Sequence, residues 1–486
     1  MAEGLSLLGL GSDNALNQDM IDKLKANEET VRIKPVEYQK EVALKQKEAV
    51  ENISTKIEDI HKWVKILTNE ETYNNKEVYT SSSIIGFEIQ DMDNVSQTTY
   101  EMDVTEMAKK DIYQTNILTN LEDPITNVDT SMTVTINGKE TIIDLTPSST
   151  YLDLKEEINQ IDGISAAFVK VTDSGEYRLK ITSEVEGTNN AIVFSNVSSE
   201  LETNLGLGES VNHLLSATNL QMTLDGVAIE RQTNEVQDLI TGVKMTIYSE
   251  GEIETQIKIN VTEPVEAHTN FILEYNALME TITGYKRDLE DGERSVILGI
   301  NEVTSGLREI KNALFSFNEG ADLDNPEEIK SIFQAGFDLK ESGDLSSKSI
   351  RKTYDIPDGL GGTTTHTEEF TFEQLVGSEP ERFRTFFSGE GSPMKDVLTV
   401  LNGLVNIDGN TDKSGNTNIG SFEGLITKYT EGQTAYEERI EELQEKLDSQ
   451  YEQMQTRYAQ YDTIMSNMNS SFASLELIIA QSTSSN

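Results

Sequence analysis

Apart from its carboxylates, this chain has few residues with the chemistry for catalysis or metal binding. Its four histidines, His61, His213, His268 and His366, show neither His-x-x-x-His nor His-Glu-x-x-His spacing, the patterns that set two imidazoles on one helix face around a zinc ion. His61 stands beside an apolar stripe and reads as a surface residue of a helix. His366, within Thr365-His366-Thr367-Glu368-Glu369, has carboxylates close enough in sequence to share a cation, but the segment reads as a solvated loop. Asp408-x-Asn410-x-Asp412 resembles the start of a calcium loop. Such a loop needs glycine at its sixth position for the sharp turn and a bidentate glutamate at its twelfth, where this chain has Lys413 and Ile419. Gly359, Gly361 and Gly362 open a Gly-x-Gly pattern, but Thr364 takes the place of the third glycine, and no Gly-x-x-x-x-Gly-Lys-Ser/Thr run occurs. With 85 acidic residues, carboxylate pairs arise without meaning. Cysteine is absent, which excludes thiolate nucleophiles, thiolate metal sites and disulfides. No catalytic, cofactor-binding or metal residue is assigned, no cofactor is expected, and the chain reads as a non-enzyme.

The strongest pattern is apolar and lies at the C-terminus. Tyr436, Ile440, Leu443, Leu447, Tyr451, Met454, Tyr458, Tyr461, Met465, Met468, Phe472, Leu475 and Ile479 follow one another in steps of three and four. This is a heptad stripe with a single four-residue insertion at Leu447 to Tyr451, which locally unwinds a left-handed supercoil without ending the helix. Proline and glycine are absent from Gln433 to Asn486, so one helix of forty residues or more is expected. A second stripe, Val50, Ile53, Ile57, Ile60, Val64 and Leu67, lies near the other end beside the only tryptophan, Trp63. An apolar row on a polar helix needs a partner, and the economical arrangement packs the two end helices together. Gly4 to Gly11 and Ser12-Asp13-Asn14 form a small-residue lead, Asn17 caps a short helix through Leu24, and Pro35 interrupts its continuation.

From about Tyr79 to Thr262 the period becomes two. Met132, Val134 and Ile136 alternate into Asn137-Gly138, the hairpin dipeptide, and Ile142 and Leu145 follow. Thr150 with Asp153 predicts a capped short helix bearing Leu154 and Ile158, and two further strands, around Val169 and Leu179, complete a ββαββ unit. Asp225-Gly226 marks another hairpin. Helical spacing resumes at Phe271, Leu278 and Ile282 and continues to Leu314. Pro357 to Thr367 and Asp408 to Gly420 read as loops, and Phe372 to Phe387 and Met394 to Val405 as short helices.

These elements predict a multidomain α+β chain. Its N- and C-terminal helices pair as a coiled-coil or helical-bundle stalk, and two β-rich head domains are inserted in the middle. The expected divisions are 1–45, a mobile segment with a short helix; 46–78 and 265–455, the helical stalk; 79–125 and 215–264, the first head domain; 126–214, the second; and 456–486, a C-terminal coiled coil. Self-association is assigned to Ile53, Ile57, Ile60, Val64, Leu67, Leu443, Leu447, Tyr451, Met454, Tyr458 and Tyr461, because aromatic and methionine side chains in the C-terminal stretch suit interface cores. A net charge of −46 repels nucleic acid and anionic lipid. The opening residues lack the basic and apolar regions of a cleaved signal peptide, and no run of 18 apolar residues offers a membrane span. The chain is therefore expected to be cytoplasmic or to leave by a route that needs no such signal.

Several separated stretches, in order, resemble the bacterial flagellar filament-capping family, the second hook-associated protein. They are Leu8-Gly9-Leu10-Gly11-Ser12 with Met20-Ile21-Asp22-Lys23-Leu24; Tyr100 to Ala108; the ββαββ unit from Met132 to Ile192; Leu224 to Arg231; Asn234 to Gly242; Phe271 to Leu278; and, at the end, Arg457 to Ile464 with Met468 to Phe472. Departures lie between Gly361 and Phe372, an added hairpin, and around Phe337 to Ser346. The resemblance implies a secreted structural cap at the distal tip of the flagellum, a homo-oligomeric ring that promotes flagellin polymerisation and prevents flagellin loss. It implies terminal helices that contact the filament, with Met465, Met468, Phe472, Leu475 and Ile479 as docking residues. Its implied partners are flagellin, hook-filament junction proteins, the flagellar export apparatus and a cytoplasmic export chaperone. Two alternatives stay open: another axial protein, either a hook-filament junction subunit or a divergent flagellin, and a surface adhesin that uses the β domains.

Overall fold

The computed structural model describes residues 18–173, 175–286, 295–322, 324–325, 327–357, 363–407 and 420–483. The N-terminal lead with its Asn17 cap, the Gly-x-Gly start and the Asp408 loop fall outside these residues. Helix and sheet are mixed, and the chain divides into two compact units. One comprises the two ends and 263–372; the other comprises 70–262 with 373–381.

The β unit holds two modules, each with its own core. In the first, β1 (Lys76–Thr80), β2 (Ile85–Ile89) and β3 (Thr98–Glu106) join β11 (Leu220–Leu224), β12 (Val227–Arg231), β13 (Glu235–Ile240), β14 (Val243–Ile247) and β15 (Gly251–Ile259). They form a five-stranded sheet, β1-β15-β3-β11-β12, and a three-stranded one, β13-β14-β2. Alternation dictates the packing: Met102, Val104, Ile253 and Ile257 from one sheet share a core with Val236, Val243 and Met245 from the other. Asp225 and Gly226 both take positive φ, 50° and 79°, as a two-residue turn matched to strand twist requires.

The second module contains β4 (Ile112–Gln114), β5 (Thr130–Ile136), β6 (Lys139–Leu145), α3 (Tyr151–Asn159), β7 (Ile164–Lys170), β8 (Tyr177–Ser183), β9 (Val193–Ser195), α4 (Ser199–Leu205) and β10 (His213–Leu215). The ββαββ unit is divided between two sheets, β10-β4-β8-β7 and β6-β5-β9. Asn137 and Gly138 form the β5–β6 turn with φ of 52° and 70°. Thr150 accepts from the Asp153 amide while the Asp153 carboxylate accepts from the Thr150 amide, a complete capping box. One boundary differs from expectation. Residues 112–125 were assigned to the first module, but β4 pairs with β8, and Leu118 and Ile125 lie in the second core. The chain crosses between modules near Lys109, whose backbone pairs with Thr218 on the return; three-residue strands carry too little alternation to mark such a crossing.

The helical unit starts with α1 (Gln18–Arg32) and α2 (Lys34–Leu67), separated only by Ile33. The first helix runs past the expected end at Leu24. Pro35 sits in the first turn of α2, where a missing N–H is tolerated, so it opens a helix instead of stopping one. Then come α5 (Thr262–Lys286), α6 (Asn301–Leu314), β16 (Phe337–Leu339), β17 (Leu345–Ser347), β18 (Ile350–Pro357), β19 (Thr363–Phe370), α7 (Phe372–Ser378), which from 373 is grouped with the other unit, α8 (Pro380–Ser388), α9 (Pro393–Leu404) and α10 (Ser421–Thr483). The Pro357 to Thr367 loop is thus corrected: from Thr363 it is strand, because a run of β-branched threonines favours the extended backbone.

Two histidines are core residues here. His61, expected at the surface, is 2% exposed, with Nε2 2.8 Å from Asn402 Oδ1 of α9. The residues around it on α2 pack inward on other helices, which leaves the imidazole no route to water. His268 lies between the rings of Phe372 and Phe337, at centroid distances of 4.1 and 4.3 Å, beside Phe383 and Phe387. Burial pushes its pKa down to about 4, against a weaker opposing influence of the Gly336 backbone. Unfolded, the same imidazole takes up its proton near 6.5. Its contribution to stability is therefore fully present above pH 6.5 and is lost as pH falls towards 4. Denaturant titrations at pH 7 and pH 4 should show the native chain losing about 3 kcal/mol more than His268→Leu over that interval. An equal loss in both would overturn the assignment.

Candidate functional site

The longest element is α10, 63 residues, and its surroundings change along its length. Its first half has a partner. Leu447 and Tyr451 are buried against Ile21 and Ile33, and Ile440, Leu443, Met454 and Tyr458 pack around them. Lys25 Nζ lies 2.5 Å from Asp448 Oδ1, and Lys40 Nζ lies 2.7 Å from Glu437 Oε1, which fixes an antiparallel register. Both pairs are partly exposed and contribute little stability. They set alignment; the seam comes from apolar burial. The Asp448 hydrogen bond raises the Lys25 pKa, and burial raises that of Tyr451. Further along the same pair of helices, Tyr38, Val42, Ala43, Tyr429, Gly432 and Tyr436 line a groove of about 320 Å³.

The two stripes of the sequence do not meet face to face. The register places the first stripe beyond the reach of the second, and Ile53, Ile57, Ile60, Val64 and Leu67 are each no more than 1% exposed. They face other helices of the unit: Asn52 Nδ2 donates to the Tyr285 hydroxyl at 2.6 Å, and Lys56 Nζ reaches Glu274 of α5 at 3.3 Å. The partner of Leu447 and Tyr451 is instead the segment around Ile21 and Ile33, which the sequence marked as mobile.

Beyond Tyr458 the helix changes character. Tyr461 is 61% exposed and Phe472 60%, and Met465, Met468, Leu475 and Ile479 are also exposed. Ile464, Leu477 and Ile478 are exposed beside them, so the apolar surface is broader than a heptad stripe. The run Leu477-Ile478-Ile479 held the signal for that width, since consecutive apolar residues cannot share one narrow face. From Tyr458 to Thr483 the only charged residues are Asp462 and Glu476, whereas Glu437 to Arg457 carries ten. This part of the helix thus presents a long, apolar and sparsely charged surface.

Elsewhere the side chains make structural pairs. His213 Nε2 lies 2.6 Å from the buried Asp111 carboxylate and its ring stacks on Tyr113 at 4.0 Å, while His366 stacks on Tyr354. Among the described residues no group of three or more His, Cys, Asp or Glu is placed to hold a metal ion, and no helix is long and apolar enough to cross a membrane.

The model for the flagellar hook-associated protein 2 C-terminus matches residues 217–470, and that for its N-terminus matches residues 15–111. The flagellar hook-associated protein 2 of Campylobacter jejuni is 28% identical over 478 residues, 87% of this chain and 70% of that protein. The Helicobacter pylori protein of the same name is 22% identical over 56% of this chain, a match that spans 38% of its own length. A crystal structure of the D1-D2-D3 domains of the flagellar cap protein FliD from Escherichia coli overlays with a TM-score of 0.44 at 16% identity, over 79% of this chain and 99% of that one.

The change of environment along α10 is measurable. In dilute protein, Leu447→Ala should lower unfolding stability by about 2–4 kcal/mol through the cavity it leaves. Phe472→Ala should change it by less than about 0.5 kcal/mol. Thermal or urea unfolding followed by circular dichroism decides, and equal effects would mean that Phe472 is buried.

Proposed function

Because the chain belongs to the flagellar hook-associated protein 2 family, the family of the flagellar filament cap, we propose that it assembles into a ring at the filament tip, retains flagellin and promotes its polymerisation. The observation that carries this reading is the exposed apolar surface of α10 from Tyr461 to Ile479, for which the described residues of the same chain supply no cover. A monomer has no use for such a surface, whereas an assembly does. In this reading Tyr461, Met465, Met468, Phe472, Leu475 and Ile479 dock on neighbouring copies and on the filament end, the helical unit acts as a set of legs, and the two β modules supply a plate. Assembly then needs no bond to be made or broken: flagellin delivered beneath the plate folds in a shielded space. The same reading takes the chain through the flagellar export apparatus, with an export chaperone in the cytoplasm and the hook-filament junction proteins as the platform it first caps.

A small-ring cap and a polymerising axial protein differ in outcome. Purified full-length protein viewed by negative-stain electron microscopy should stop at small closed rings, and cells lacking the gene should shed monomeric flagellin into the medium. Long filaments from the purified protein, or normal filaments in the deletion strain, would defeat the proposal. Replacing Tyr461, Met468 and Phe472 together by serine should abolish ring formation while leaving the monomer's helical circular dichroism intact.

A further inference from the structure

The hairpin β18–β19 in the helical unit forms a sheet of its own, and no third strand among the described residues pairs with it. Each strand has eight residues, longer than any other edge strand described, of which β6 and β7 are the longest at seven. Its register runs unbroken from Ile350↔Phe370 to Pro357↔Thr363, whereas the edge strands β10 and β13 carry register shifts. The usual defences of an open edge are shortness, a bulge, proline or charged side chains, and this hairpin has most of its charges at its base. Here the only proline is Pro357, at the end of β18, so both edges stay open along most of their length. Every described β19 side chain from Thr363 to Glu369 is exposed, and Tyr354 and Ile356 on β18 are exposed as well. A two-stranded hairpin with so little cover is marginal in water and gains from a further strand.

Charge selects which strand that is. At the base of the hairpin β18 carries Arg351 and Lys352, and β19 carries Glu368 and Glu369 in the facing positions; Arg351 Nε donates to Glu369 Oε1 at 2.8 Å. In a chain of net charge −46, two copies repel unless local charges complement each other. If hairpins of successive copies point the same way, β18 of one lies antiparallel to β19 of the next. Repeating the register within the hairpin then sets Arg351 opposite the neighbour's Glu369 and Lys352 opposite its Glu368. Like edges brought together in that orientation would set Arg351 beside Arg351, which is unfavourable. Contact between unlike edges is head to tail, the kind that closes into a ring.

We propose that this hairpin is a contact between copies of the chain, in which β18 of one copy adds edge-on to β19 of the next. The inference rests on the ring reading above and names a contact within it. Because the native chain has no cysteine, single cysteines report proximity without background. Lys352→Cys chains and Glu368→Cys chains are assembled as an equimolar mixture and oxidised mildly, and the same is done with Arg351→Cys and Glu369→Cys, since alternate positions of a ladder differ in spacing. Disulfide-linked dimers of unlike variants are expected from at least one mixture, at severalfold the yield of either variant alone. Dimers formed equally well by one variant alone would overturn the polarity and with it the proposal. Rings that form without cross-links in either mixture would sink this inference and leave the cap reading standing; failure of the native chain to form rings would sink both.

Discussion

One constraint governs the helical unit: an apolar row on a helix must be covered, and the described residues cover α10 along only part of its length. Ile21 and Ile33 bury Leu447 and Tyr451, and the cover thins beyond Tyr458. The same helix is therefore packed in one half and exposed in the other. The three-and-four row runs through both halves and only broadens in the second. What changes is the supply of a neighbour, together with the loss of charge after Arg457 that makes a crowded environment tolerable.

The first stripe illustrates the opposite case. Ile53, Ile57, Ile60, Val64 and Leu67 have the same step pattern as the exposed tail, yet α5 and α9 surround their helix and leave them no surface. Identical periodicity thus belongs to core in one place and to exposed surface in another. In the β unit, each module closes its own core between two sheets, and the crossings near Lys109 and Thr218 link them. The hairpin β18–β19 differs from the sheets of the β unit in having no third strand among the described residues, so both of its strands are edges.

Much of the local structure could be read from the chain. Asn137-Gly138 and Asp225-Gly226 specify tight turns because few residues other than glycine, asparagine and aspartate accept positive φ, and Thr150 with Asp153 specifies a helix start because the two groups cap each other. Other features were not legible for equally physical reasons. The strand Ile112–Gln114 is too short to show which sheet it joins. His61 shows by type neither burial nor exposure; its hydrogen bond to Asn402, 341 positions away, decides. Pro35 reads as a breaker in sequence, but in the first turn of a helix it costs nothing, and only the break at Ile33 puts it there.

The sequence by itself determined the mixed helix-and-sheet class, the absence of thiol chemistry, the heavy negative charge and the long apolar row near the C-terminus, because each is a property of residue types and their spacing along one dimension. Tertiary structure alone decided which row meets which, that Leu447 and Tyr451 are core while Tyr461 and Phe472 are surface, and that two histidines are enclosed. Those outcomes depend on which distant segments the folded chain brings alongside, and burial is a property of that company, which no single residue carries in its type.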